Sequence, residues 1–442
     1  MPAINLTKNQ KIIFFVVAAI ILIMILMAVG ILPGFKKKTG GTGSQAEISL
    51  EFWGIDSADA FRAVIESYQN ANQNVKITYR QVSPDDYEET LIDSLASSRG
   101  PDVLMFNHFW VPKHFEKFYP MPTNLLSIDQ LREKAFAAVV ADDVVWQGKI
   151  YGLPLWVDTL ALFYNTDLFN SAGIALAPTT WQEFQDDSKL LTDKALTGEI
   201  KKSGSALGTA SNINNAADIL SVLMIQAGSS ITKAGGQADF NNEAGHQALA
   251  FYTSFANPAS LYYSWNNNFS DSLDVFSQGK VAMIIDYSSS RDKIKNKNPY
   301  LNYAIAPLPQ AAKDPNVVEN YAKNYAKNYA DYWVLGVSAI SQYPTSAWDF
   351  ILYLTGYQQT KQYLSITGKP PAGRLLIKEM LNDEKIGIFA KQALTAKSWS
   401  QKDAGENRQI LLNMIESVVN GRLSIDNALS QAAEEINKTL NN

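Results

Sequence analysis

Residues 148–184, GKIYGLPLWVDTLALFYNTDLFNSAGIALAPTTWQEF, constrain the chain more than any other stretch. Two short apolar runs, 150–155 and 160–164, are rich in β-branched and aromatic residues, and Asn165, Asp167, Gly173 and Pro178 follow them as breakers. Apolar runs of this length bounded by such residues predict strand, crossing segment, strand, then a capped helix. Between the runs lie Trp156, Val157, Asp158 and Thr159, an indole and a carboxylate interrupting an otherwise buried pair of strands. That pairing makes Trp156 and Asp158 the leading candidates for a ligand contact. The carboxylate accepts hydroxyl hydrogen bonds while the indole covers an apolar ring face. The competing reading of Trp156 is a strand-end residue packed into the core.

At 442 residues the chain is long enough for two cores, because a single hydrophobic core stops growing near ~250–300 residues. Its 20 tyrosines and 9 tryptophans cluster near predicted loop ends more than packing requires, which suits a ligand with flat apolar faces. A formal net charge of −5 leaves no basic field to hold nucleic acid. The absence of cysteine excludes a disulfide scaffold, a thiol nucleophile and a zinc–thiolate site. His108, His114 and His246 lack zinc-type spacing, and Asp85, Asp86, Glu88 and Glu89 lack the glycine-containing calcium loop. Neither a metal nor any other cofactor is expected.

Residues 12–32 form a run of 21 residues without a charge. At 1.5 Å per residue a helix there spans roughly 31 Å, about one hydrocarbon core. The run exceeds the ~7–15-residue apolar region of a signal peptide, so an uncleaved anchor is expected. Residues 1–11 would then be cytoplasmic, and the Gly/Ser/Thr-rich residues 33–46 a flexible tether. Lys8 and Lys11 before the run and Lys36 to Lys38 after it leave the positive-inside rule nearly balanced or reversed.

Along the rest of the chain, residues 47–54, 58–72 and 75–82 read as strand, helix, strand. A helix over 87–99 leads into Gly100-Pro101-Asp102 and the apolar strand 103–106, which ends at Asn107, His108, Phe109 and Trp110. Ligands of open α/β sheets bind beyond strand carboxyl ends, so Asn107 and Trp110 are candidates, as are Asp56 just past the first strand and Tyr287 after the strand containing AMII. Asn212 lies in the Ser/Asn-rich loop 204–215. Residues 320–331, NYAKNYAKNYAD, copy a four-residue unit nearly three times. As a helix they would carry Tyr321, Tyr325 and Tyr329 as a slowly drifting stripe, read most simply as a solvated extension.

The words G-K-x-Y-G-L-P, Y-N-x-D-L-F-x-x-A-G and P-x-T-W-x-E-F, with G-P-D-V at Gly100 and F-x-x-G-x-x-A-M at Phe276, closely resemble the extracellular solute-binding proteins of ABC importers, and among them the sugar-binding cluster. The resemblance extends over roughly residues 47–440. It implies an α/β, two-lobed periplasmic-binding-protein-like fold with discontinuous lobes on a hinge: 47–158 with 283–339 as one lobe, 159–282 with 340–442 as the other. Three crossings are expected near Asp158, Ala282 and Ala339. Asp158 matches a position where sugar-binding members place an acid, and Trp110, Trp333 and Trp399 fall where cleft aromatics are expected. The implied protein is a monomeric receptor that takes a sugar or oligosaccharide outside the membrane and passes it to an ABC permease. A polyamine or other small solute, or a sensory partner of a membrane receptor, stays open as an alternative. A glycoside hydrolase would need two carboxyl groups roughly 5–9.5 Å apart, and nothing in the sequence pairs Asp158 with a second acid.

Overall fold

The computed structural model describes residues 46–229, 232–233, 236–311, 327–399 and 401–440. The expected cytoplasmic start, the membrane span 12–32 and all but the last residue of the tether lie outside these residues. Among the described residues no helix is long and apolar enough to cross a membrane.

The first half of the chain supplies strands β1 (Ile48–Gly54), β2 (Val75–Gln81), β3 (Val103–Asn107), β4 (Phe118–Tyr119), β5 (Leu153–Pro154), β6 (Asp158–Thr159), β7 (Ala161–Asn165), β8 (Asp193–Lys194) and β9 (Ile200–Ser205). Later come β10 (Val281–Asp286), β11 (Tyr303–Pro307), β12 (Asn328–Asp331), β13 (Trp333–Ser338) and β14 (Ala396–Lys397). They form two large sheets. The first runs β2-β1-β3-β13-β4, with β5 also on β13; the second runs β8-β9-β10-β7-β11. In the first sheet β1 is parallel to β2 and β3, while β13 returns antiparallel to β3.

Each sheet carries its own core. Leu50, Phe52, Leu104, Phe106 and Leu335 belong to one buried cluster, and Leu162, Phe163, Met283, Ile284 and Trp265 to the other. β10 reads VAMIID without alternation because all six positions are buried, as expected of a strand flanked by neighbours on both sides. The helix Ala58–Ala71 lays Phe61 edge-on to Phe52 at a centroid distance of 5.0 Å, and Phe350 approaches Phe52 at 5.9 Å. Such pairs add about 0.5–1.5 kcal/mol each beyond area burial. The helix Trp181–Leu191 begins with a capping box between Thr180 and Glu183, the Thr and Glu of the P-x-T-W-x-E-F word.

The first passage between the large sheets lies at β6 (Asp158–Thr159), but the other two do not lie at Ala282 and Ala339. Val281–Asp286 stays in the second sheet, paired with both β7 and β9, and β11 follows it there. The chain re-enters the first sheet through β12 and β13. From there it goes directly into the helix Pro344–Leu354, whose Ala347, Trp348, Phe350 and Ile351 are buried in the first core. The helices through Arg374–Met380 stay with that core, so residues 340–380 pack opposite to the expected assignment. A short loop after a central strand lets the next amphipathic helix cover the same sheet. The third crossing is β14, beyond which Ile410, Leu411, Met414 and Ile415 join the second core. The crossings pair with one another as a third, small sheet, β14-β12-β6.

The tyrosine repeat also differs from its expected helical form. Tyr321 and Tyr325 lie outside the described residues, but the last unit, Asn328–Asp331, is the buried strand β12. Pairing on both edges, Ala330 with Thr159 and Asn328 with Ala396, supplies the backbone partners that a solvated extension would take from water.

At Gly204 in β9, a Cβ would stand 1.9 Å from the Ser188 carbonyl oxygen of the helix above. Gly204→Ala is therefore expected to force helix and sheet apart and cost roughly 1–3 kcal/mol, read as a lower urea midpoint at unchanged m. An unchanged midpoint would show that this approach is not tight.

Candidate functional site

A cavity of about 260 Å³ opens between the two cores. From the first sheet, β3 ends at Asn107 and the next turn presents Phe109 and Trp110, while β13 begins at Trp333, paired in register with Asn107. The rings of Trp110 and Trp333 lie 5.3 Å apart at 64°. The opposite wall comes from the helices Ala216–Ala227 and Ala404–Val419, which give Asp218, Ser221 and Arg408, and from Trp399 just before the latter helix. The crossing strand β12 places Tyr329 and Asp331 between the walls. Of the residues named from sequence, the structure brings Asn107, Trp110, Trp333 and Trp399 together here.

The polar groups are held before any ligand arrives. Arg408 Nη1 donates to Asp218 Oδ1 at 2.8 Å and Nη2 to the Asn214 carbonyl at 2.9 Å. The second Asp218 oxygen accepts from Tyr287 Oη at 3.1 Å. Burial raises the Asp218 carboxyl above its ordinary range, against the pull of Arg408, and the Asp218 charge raises Arg408 in turn. Asn107 Nδ2 donates to Asp331 Oδ1 at 3.0 Å, and Asn107 Oδ1 accepts from the Phe109 backbone N–H. Indole faces set among oriented carboxylate, amide and guanidinium groups can stack on an apolar ring face and exchange hydrogen bonds at its rim.

Residues 54–361 match the family model of the bacterial extracellular solute-binding proteins. The chain belongs to that family. It is 24% identical to a putative binding protein of Brucella abortus over 254 residues, 56% of this chain and 59% of the relative. It is also 22% identical to the maltotriose-binding protein of Pyrococcus abyssi over 327 residues, 74% of this chain and 65% of the relative. The chain thus spans about six-tenths of the length of these curated relatives. Among solved structures, the cyclic α-maltosyl-1,6-maltose binding protein of Arthrobacter globiformis superposes with a TM-score of 0.73 at 21% identity, over 89% of this chain and 99% of that one. The family is one of extracellular solute-binding proteins, and the fold shared with the solved structure is the two-lobed one described above.

In this solute-binding protein the pair expected to lead the site does not line the cavity. Asp158 is 5% exposed and is consumed by the crossing: its oxygens accept from the Ser288 backbone N–H at 3.0 Å, Ser288 Oγ at 2.6 Å and the Thr159 N–H at 2.9 Å. Trp156 is 7% exposed, bridges to Pro371, and lies with its ring 4.2 Å from Lys369 Nζ. Asp56 pairs with that same lysine at 2.6 Å and accepts from Tyr363 Oη at 2.5 Å, again away from the cavity. Asn212 shapes its own loop, donating to the Asn266 and Phe269 carbonyls and accepting from Trp265 Nε1. Tyr287 sits behind the wall, reaching the cavity only through Asp218. Asp158 and Asn212 are taken up by buried backbone groups, whereas Asp56 and Tyr287 are taken up by other side chains.

Asp218, Asp331 and Arg408 are not among the candidates the sequence yields, and Tyr329 enters there only as part of the repeat. One signal was available for Asp331: the last repeat unit replaces the lysine of the others with aspartate. Arg408, on an amphipathic helix distant in sequence, carries none.

The Asp158 carboxyl is pushed up to about 6 by burial, against the Ser288 and Thr159 hydrogen bonds that lower it. A carboxyl raised on folding contributes stability that is full below its unfolded pKa of about 3.9 and lost as pH rises through the folded value. The unfolding free energy of wild type relative to Asp158→Asn should therefore fall from about pH 4 to pH 7 by about 1–3 kcal/mol, measured by urea melts. A flat difference would contradict this. Asp158→Ala should lower stability by about 2–4 kcal/mol through the stranded donors, leaving the affinity of the folded fraction within about threefold, a RT ln 3 of about 0.65 kcal/mol.

Proposed function

We propose that this protein captures a sugar or oligosaccharide between its two lobes and delivers it to an ABC permease from the outer face of the membrane. The observation that carries the reading is the wall of Trp110, Trp333 and Trp399 set among oriented polar groups in the interlobe cavity. Aromatic planes bury the apolar faces of a pyranose, and amide, carboxylate and guanidinium groups bond its rim hydroxyls. The names of the relatives, maltotriose-binding among them, point the same way.

Capture proceeds by closure. Among the described residues the chain passes between the large sheets through the strands β6, β12 and β14, and a hinge closes only to the extent that contacts are stronger in the closed form. A ligand touching Trp333 on one side and Trp399 on the other supplies that difference. So does the ion pair of Lys113 with Asp403, 2.8 Å across the mouth between elements of the two cores. The apolar residues 12–32 are the anchor in this reading, and the tether keeps the receptor at a high effective concentration near its permease.

Isothermal titration of the purified full chain with malto- and galacto-oligosaccharides should show saturable binding. Trp333→Ala should weaken it at least tenfold, which is 1.4 kcal/mol, measured on the folded fraction, because this indole also packs on Tyr87. Silence across these saccharides and across charged ones alike would refute the reading. For the anchor, the full chain should stay with carbonate-washed membranes and a chain lacking residues 12–32 should not; release of both would remove the tethered role.

A further inference from the structure

The charges around the cavity do not balance. Its lining holds three carboxylates, Glu88, Asp218 and Asp331, against one guanidinium, Arg408. Arg408 is spent on Asp218. Lys113, the cation at the mouth, is shared by Glu88 at 3.0 Å and Asp403 at 2.8 Å. Asp331 is left over: its side chain is 38% exposed, it accepts one hydrogen bond from Asn107, and among the described residues its ion-pair neighbour is His108, whose Nε2 is 3.8 Å away. That imidazole lies with Nδ1 2.9 Å from Asp143 and its ring stacked on Tyr332 at 4.1 Å, and neither ring nitrogen makes a hydrogen bond among the described residues. The Asp331 charge also acts on its neighbours, raising Asp218, Tyr287 and Tyr329 beyond what burial alone does, and it adds to the raising of Arg408, which is hydrogen-bonded to Asp218 and not to Asp331.

Closure around a ligand removes water from this carboxylate. A desolvated carboxylate without a counter-charge is costly, and a sugar hydroxyl offsets that cost less than a charged donor does. The walls around Asp331 are the π-faces that favour a cation.

We propose that the saccharide taken by this site carries a protonated amino group, which seats against Asp331 within the tryptophan-lined cavity. This rests on the saccharide reading above and narrows it to amino sugars and oligosaccharides containing them. The ammonium completes the charge balance, the three tryptophans hold the ring, and Asn107 keeps the receiving carboxylate in place.

The test compares ligands matched except at C2 of each ring: glucosamine, glucose and N-acetylglucosamine; galactosamine and galactose; the β-1,4 disaccharide of free glucosamine and cellobiose. Each is titrated calorimetrically into the full chain at low salt, beside the neutral malto- and galacto-oligosaccharides. The amino form should bind at least tenfold more tightly than its hydroxyl and N-acetyl partners. Asp331→Asn, which keeps the shape and the Asn107 contact, should bring the partners within about threefold of each other, an RT ln 3 difference. If a neutral saccharide binds as tightly as any amino sugar, or the preference survives Asp331→Asn, the proposal is wrong while the saccharide reading stands. If no saccharide of either kind binds, the saccharide reading fails and this proposal with it.

Discussion

The backbone pairing of three crossing strands is the constraint on which the rest of this molecule depends. β6, β12 and β14 carry the chain between the two large sheets, and each finds its hydrogen-bond partners in another crossing. Buried peptide groups tolerate no other arrangement cheaply. Side chains complete the accounting. Asn328 Nδ2 donates to the Leu160 carbonyl at 2.7 Å, Gln392 Nε2 reaches the same oxygen at 3.1 Å, and Ser288 closes on Asp158. A joint saturated in this way leaves few unpaired backbone groups to fray, which suits the closure proposed for it.

The same pairing builds the site. β12 delivers Tyr329 and Asp331 to the cavity from a backbone paired along all four residues with β14 and β6, and β13, starting at Trp333, sets that residue opposite Asn107. The cavity is therefore assembled from strand ends whose positions the two cores determine, with few side chains left to search for a rotamer when the ligand arrives. The expense of ordering was met on folding, and binding is spared it. Polar residues nearest the joint, Asp158 above all, hold the joint and not the ligand.

Strand and helix order was legible in the sequence where apolar runs met strong breakers, as in residues 148–184 or at Gly100-Pro101-Asp102. The resemblance to solute-binding proteins made the two-lobed architecture legible as well. The second and third crossings were not, since Val281–Asp286 and Trp333–Ser338 are equally apolar and neither names its sheet. Strand partnership is settled by contacts hundreds of residues apart. Of the cavity lining, Asn107 and Trp110 were legible as polar and large side chains at a strand end, whereas Trp333 and Trp399 came through the resemblance. Trp156 and Asp158 looked identical by that criterion, and only the distance from Ser288 to Asp158 separates a structural carboxylate from an exposed one. Asp331 was hidden in a repeat whose first two units invited a bland reading.

The central claim is that the interlobe cavity and its three tryptophans receive the solute. Fluorine NMR of 5-fluorotryptophan-labelled protein tests it most directly, because each of the nine tryptophans gives one resonance assignable by single Trp→Phe substitution. With a saccharide at saturation, the resonances of Trp110, Trp333 and Trp399 should move, while those of the core residues Trp53, Trp265 and Trp348 stay in place. A shift at Trp156 with the cavity three unmoved would put the solute beside Asp56 and Lys369 instead, and would contradict the site described here.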